Sequence, residues 1–357
     1  MINVTQTFLP PQEEYQAILQ KAWDAVWLTN RGQLLQELEQ KINNYLQVSQ
    51  SILTTNGTLP LQIALKVLAR QGEVITTPFS YVATTSSIIW ENCSPVFVDI
   101  DPEHLTIDET KIEAAITSKT TAILATHVFG NPCAVEEIEK IAKKHRLAVI
   151  YDAAHGFGVN YKGKSLFNYG DVSTCSFHAT KLFHTGEGGA LFCENKELMH
   201  QLYYHHNFGH NGPEDFYGLG INAKMSELQA AMGLAVLPYL DELIAARKLR
   251  VNSYNDLLDF SRLRRLKIRE NTEWNYSYYP VIFNTEEDLL NCKKALLEQN
   301  INPRRYFYPS LNTLTYLNHH QEMKISEDIS KKILCLPLFH NLSLDKTFQI
   351  SELINKC

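Results

Sequence analysis

A chain of 357 residues that is 45% hydrophobic can bury a large core and suggests one large and one small domain. Its formal charge of −6 offers no basic field for a nucleic-acid backbone, so nucleic acid is excluded as a partner. Seven cysteines at 93, 133, 175, 193, 292, 335 and 357 form no CxxC pair and no zinc spacing, and neither a leader nor a stretch of ~20 apolar residues is seen, so a cytoplasmic protein with reduced thiols, no metal and no membrane contact is expected.

Pro10 and Pro11, followed by Glu13 and Glu14, open a first helix with Ile18, Leu19, Ala22 and Val26 at helical spacing. Residues 27–32 break it, and residues 34–46 make a second amphipathic helix. Residues 51–55 read as a short strand, after which Asn56-Gly57-Thr58 begins a helix to Arg70. Amides at a helix N-terminus attract phosphate, a glycine there permits close approach, and Thr58 adds a donor; on these residues alone an ordinary capped helix reads equally well. A strand at 73–78, a helix from the Phe79-Ser-Tyr81 segment through Trp90, a strand at 95–101, a short helix at 111–116, a strand at 121–127 and a helix at 135–145 follow. This alternation predicts right-handed crossovers and a mostly parallel sheet.

Leu147–Asp152 is the apolar run of a buried parallel strand, ending in an acid where open α/β sheets place their ligands. Under a pyridinium ring such a carboxylate keeps the ring nitrogen protonated. Residues 173–192 read as a strand, a turn carrying the single Lys181, a glycine-rich bend at 186–189 and a second strand. Poor solvation there lowers an amine's pKa toward the range where it is a nucleophile, although a lone loop lysine is more often a solvated charge. A helix at 196–204 precedes a long polar, glycine-rich loop at 208–220, a length usually functional or mobile. Asn222 begins a helix at 225–237, and a long helix at 240–258 leads into a smaller domain with a strand at 275–283, a helix at 286–299 and a strand at 333–338. Arg304-Arg305-Tyr306-Phe307-Tyr308-Pro309 is its basic, aromatic cluster, suited to clamp a pyrophosphate or sugar or to pair ions at the surface.

A strand-end acid followed by a lysine between strands is the order of pyridoxal-phosphate enzymes with an aspartate-aminotransferase-like fold. Eight segments in register, Trp27–Glu39, Thr55–Thr58, Thr77–Thr84, Pro95–Asp101, His127–Pro132, Asp152–His155, Ser176–Lys181 and Gly220–Ala231, resemble the DegT/DnrJ/EryC1/StrS family of sugar-nucleotide aminotransferases. The resemblance runs from Pro10 to about Leu338 and implies an α/β fold of PLP fold type I. It divides the chain into a large PLP-binding domain with a mostly parallel mixed sheet (1–240) and a smaller α+β domain (241–357).

By the same resemblance Lys181 carries pyridoxal 5'-phosphate, Asp152 lies under the ring nitrogen, and His155 sits near the phenolic oxygen. Tyr81 lies against the ring, while Ser176, Gly57 and Thr58 take the phosphate. Asn222 crosses a homodimer interface to the partner subunit's phosphate, giving shared active sites. Lys224 stands where the family often has arginine, which leaves a bidentate anion contact there open. Thr29, Asn30, Arg304, Arg305, Tyr306 and Tyr308 are candidate substrate contacts, and His178 is assigned no role.

Within the family the chain is most similar to enzymes that move an amino group from L-glutamate to C4 of dTDP-4-keto-6-deoxy-D-glucose, by way of pyridoxamine phosphate, for O-antigen or other glycan synthesis. C3 amination of a dTDP-3-keto-6-deoxyhexose is the alternative. Family dehydratases replace the lysine, so Lys181 argues against a pyridoxamine-dependent dehydratase. The set Asp152, Ser176 and Lys181 argues against a non-catalytic cofactor-binding protein.

Overall fold

The computed structural model describes residues 1–317 and 321–357. The N-terminal helices are α1 (Gln12–Asp24) and α2 (Gln33–Leu46). The large unit alternates β1 (Ser51–Thr54), α3 (Thr58–Leu68), β2 (Glu73–Thr76), α4 (Val82–Trp90), β3 (Ser94–Phe97), β4 (Thr120–Thr126), α5 (Val135–His145) and β5 (Ala148–Asp152). β6 (Val172–Ser176), β7 (Gly189–Phe192), α6 (Lys196–His206) and α7 (Glu227–Val236) complete it. The seven strands lie in the order β1-β7-β6-β5-β4-β2-β3, and only β7 runs against its neighbours. The expected mostly parallel mixed sheet is therefore present.

Both faces are covered, as a parallel sheet of continuous apolar strands requires. On one face Leu34, Leu38 and Ile42 of α2 pack with Ala230, Ala231 and Leu234 of α7; on the other, Leu61, Ala64 and Leu65 of α3 pack with Met199 and Leu202 of α6. α8 (Leu240–Leu257) leads to an antiparallel sheet of β8 (Leu263–Arg265), β9 (Tyr279–Phe283) and β10 (Ile333–Leu336), backed by α9 (Glu286–Glu298), α10 (Lys324–Lys332) and α11 (Leu344–Lys356). The chain start reaches this unit, because Ile2–Asn3 pairs in parallel with Ile301–Asn302.

Several expected elements move. α1 stops at Asp24, and Val26, at φ +51° and 88% exposed, lies outside its apolar stripe. The strand expected at 95–101 ends at Phe97. The strand expected at 275–283 begins only at Tyr279, because Asn275 and Ser277 turn inward to bond the His155 carbonyl and Tyr276 adopts φ +54°. The last helix of the large unit begins at Glu227, where Ser226 and Gln229 form a reciprocal cap. The helical run 227–257 is, contrary to expectation, long and apolar enough to pass for a membrane span, but half of its apolar window is buried inside the protein. Its Leu234, Val236, Leu237, Leu240 and Leu243 belong to the core beside α2.

Candidate active site

The carboxyl ends of β1, β4, β5 and β6 open onto a cavity of about 250 Å3. β5 buries Val149, Ile150 and Tyr151 and ends in Asp152, also buried, which lines the cavity. Asp152 Oδ2 accepts from Thr84 Oγ1 at 2.6 Å, and Oδ1 accepts from the Ala154 amide at 3.1 Å. Burial raises this carboxyl above its ordinary value, against the Thr84 bond, the Ala154 amide and the charge of Lys181, which pull it down.

Lys181 lies on the turn between β6 and β7, which is fixed by Phe177 N donating to Gly188 O, Ala179 N to Gly186 O and Lys181 N to His178 O. Gly186 takes φ +80°, as the bend requires, and buried Leu182 and Phe183 anchor the turn in the core. Burial, opposed by Asp152, Cys175 and Tyr81 and aided by Arg304, brings the Lys181 amine down to about 8. Its Nζ lies 5.8 Å from the centre of the Tyr278 ring.

His155, three residues after Asp152, is buried and stacked nearly parallel to Phe307 and Phe129, each at 6.1 Å. The Phe129 amide donates to His155 Nδ1 at 3.1 Å, so the neutral ring carries its proton on Nε2 and is a donor there. Burial and the neighbouring Lys181 charge hold this imidazole well below its ordinary value.

At the other end of the cavity Gly57 rests against Ser176. A Cβ on Gly57 would stand 2.7 Å from Ser176 Cβ and 2.9 Å from its Cα, so only glycine lets the α3 N-terminus meet the end of β6. The Asn56 side chain accepts from the amides of Thr58 and Leu59, capping the helix itself. Gly57, Thr58, Ser176, His178 and Thr180 line the polar end that results. Tyr81 lines the cavity with its side chain 53% exposed, leaving a ring face open.

Of the candidate substrate residues, Arg304 and Tyr306 line the cavity, with the guanidinium 4.4 Å over the Tyr306 ring. Arg305 does not: it is tied to Glu286 at 2.6 Å, donates to the Lys331 carbonyl, and lies 3.6 Å over the Tyr308 ring, which also sits outside the cavity. Thr29, Asn30 and Asn222 are exposed and outside this chain's cavity; Asn222 accepts a bond from Lys224 Nζ. Sequence reasoning missed Ser80, Thr126 and Phe307 in the cavity wall and Thr84 behind Asp152. Thr84 lies in the first turn of α4 beside Thr85, Ser86 and Ser87, so nothing in the sequence set its hydroxyl apart.

These residues fit pyridoxal phosphate on their own chemistry. Among the described residues no cation bonds Asp152, so a protonated pyridine has a buried counter-charge waiting for it. The amine of Lys181 is partly neutral near pH 8, and Gly57, Thr58 and Ser176 line the cavity together at the N-terminus of α3, where an anion is favoured. The parallel sheet with this acid and amine at its carboxyl edge is that of a pyridoxal-phosphate-dependent aminotransferase with the aspartate-aminotransferase-like fold.

The profile of the DegT/DnrJ/EryC1/StrS aminotransferase family matches residues 11–355, and the chain belongs to that family. It is 41% identical to a dTDP-4-amino-4,6-dideoxy-D-glucose transaminase of Shigella dysenteriae, over 96% of this chain and 95% of that protein. A transaminase of the same name from Escherichia coli is 38% identical, over 99% of this chain and 98% of the other. The crystal structure of DesI in the presence of its TDP-sugar product superposes with a TM-score of 0.93 at 29% identity, over 100% of this chain and 92% of that one.

Proposed function

We propose that this protein transfers the amino group of L-glutamate to C4 of dTDP-4-keto-6-deoxy-D-glucose, giving dTDP-4-amino-4,6-dideoxyglucose, in the cytoplasm. The reading is carried by identity of 41% and 38% with two transaminases named for that amino sugar, extending over nearly the whole of each chain.

Pyridoxal phosphate, when bound, supplies a positively charged ring that draws electron density from the amino-bearing carbon of either substrate. Lys181 Nζ takes the proton from Cα of glutamate in the first half of the cycle and gives one to C4 of the sugar in the second. Asp152 would face the ring nitrogen with its carboxylate, and His155 would offer its Nε2 proton to the phenolic oxygen. Ser176, Gly57 and Thr58 would hold the cofactor's phosphate, and Tyr81 would lie against its ring. Arg304, exposed at the cavity and held over Tyr306, is the contact for an anionic part of either substrate. Arg305 and Tyr308 are not retained in this role, since their partners lie elsewhere.

The working form is a homodimer with shared sites, in which Asn222 serves the partner subunit's phosphate pocket and Thr29 and Asn30 touch substrate only across the interface. Supporting this, Trp27, Leu28, Leu219, Ile221 and Leu228 are exposed around them, an apolar surface of the kind that marks an interface. Residues 1–240 and 241–357 are proposed as its large and small domains. The test is to incubate the protein with glutamate and, in separate reactions, the 3-keto and the 4-keto dTDP-6-deoxy sugar. An amino-sugar mass from the 4-keto isomer is the expected result, and product from the 3-keto isomer alone would refute C4 amination.

A further inference from the structure

We propose that Thr84, Ser80 and Thr126 are positioning residues that act on the cofactor through Asp152, as a hydroxyl chain running in one direction into its carboxylate. Thr126 Oγ1 donates to Ser80 Oγ at 3.1 Å, the Ser80 and Thr84 hydroxyls are 2.7 Å apart, and Thr84 Oγ1 donates to Asp152 Oδ2 at 2.6 Å. A hydroxyl has a single proton. Because Thr84 gives its own to the carboxylate, the bond between Ser80 and Thr84 must run from Ser80, which in turn accepts from Thr126. Each bond in such a series strengthens the next, and the last one ends on a charge.

The four residues are all buried, and they come from separate parts of the scaffold: Thr126 from the end of β4, Ser80 from the loop before α4, Thr84 from the first turn of α4 and Asp152 from the end of β5. Two neighbouring buried hydroxyls on α4, those of Thr85 and Ser87, have no hydrogen-bond partner, so pairing is not automatic for a hydroxyl on this helix. Thr126 and Asp152 are also register partners across β4 and β5, which fixes the two ends of the series relative to each other. With Thr84 on Oδ2 and the Ala154 amide on Oδ1, each carboxylate oxygen holds one protein donor and keeps a lone pair for a donor from the cofactor. The two bonds favour the ionised form against the cost of burial and fix the orientation of the carboxylate. This rests on the assignment of Asp152 to the ring nitrogen.

The experiment measures the dissociation constant of pyridoxal phosphate for the apoprotein by quenching of tryptophan fluorescence, in the parent and in Thr84→Val, Thr84→Ser, Ser80→Ala, Asp152→Ala and the Thr84→Val/Asp152→Ala double variant. Loss of a charge-assisted bond should weaken cofactor binding about tenfold in Thr84→Val and less in Ser80→Ala. Thr84→Ser should restore the parent value. In the Asp152→Ala background Thr84→Val should add nothing, because its only route to the cofactor is gone. An unchanged constant in Thr84→Val, or an equal weakening in both backgrounds, overturns the positioning role. If Thr84→Val does not fold, the same comparison with Ser80→Ala decides. An unchanged constant in Asp152→Ala alone would instead sink the assignment of the acid.

Discussion

Lys181 is the residue on which the chemistry turns, and its environment makes it measurable without substrate. Burial outweighs the pull of Asp152, so the amine loses its proton near pH 8 rather than near 10.5. The neutral form is the nucleophile and grows as pH rises, so capture of an aldehyde by the apoprotein should accelerate with pH and level off above a midpoint of about 8. A midpoint near 10.5, read from the pH dependence of the capture rate, would show a solvated lysine instead. Lys181→Ala should retain the far-ultraviolet circular dichroism of the parent while losing transamination by at least about a thousandfold, since no other group replaces both the amine and the base. At the recess, Gly57→Val should fold but bind pyridoxal phosphate poorly in the same fluorescence titration, because any Cβ at 57 pushes α3 away from Ser176.

Among the elements, the join between α2 and α7 depends on one carboxylate. Glu227, buried, accepts from the amide of Leu34 at 2.7 Å and from that of Leu35 at 3.1 Å, so the first acid of α7 caps the N-terminus of α2 across the core. Gly32 is held to glycine here, since a Cβ would lie 2.6 Å from Glu227 Cδ. Glu227→Ala leaves two buried amides unpaired and should cost about 2–4 kcal/mol. Glu227→Gln should cost less, and thermal unfolding would check the order. Such through-space partnerships are what the sequence does not display. Asp152 and Lys181 were legible because each ends or interrupts an apolar run, where a charge has no structural reason to be. The Thr84, Ser80 and Thr126 hydroxyls were not, since serine and threonine at a helix start or strand end look like ordinary caps. Arg304 and Arg305 looked alike in sequence, yet adjacent residues of extended chain point to opposite sides. With the Arg304 backbone paired to Cys335, one guanidinium meets the cavity and the other meets Glu286.

For the whole molecule the question is whether one chain contains a complete site. Asn222 lies outside its own cavity on an exposed segment, while Thr54 of β1, just before the phosphate recess, bridges to Lys224 two residues further on. In the proposed dimer each site uses Lys181 of one chain and Asn222 of the other, and mixing two damaged proteins distinguishes this from a self-contained site. Lys181→Ala and Asn222→Ala, each impaired alone, are unfolded together and refolded as a mixture. In a mixed dimer one site then carries both lesions and the other carries neither, so activity should recover to about a quarter of the parent's when subunits assort at random in a twofold assembly. If Asn222 acts within its own chain, every site in the mixed dimer keeps one lesion and no recovery beyond the average of the two variants is expected. The same mixture sized by sedimentation fixes the stoichiometry. A monomer retaining full activity would remove the shared site and, with it, the reason for the exposed apolar surface around Leu219, which is 67% exposed.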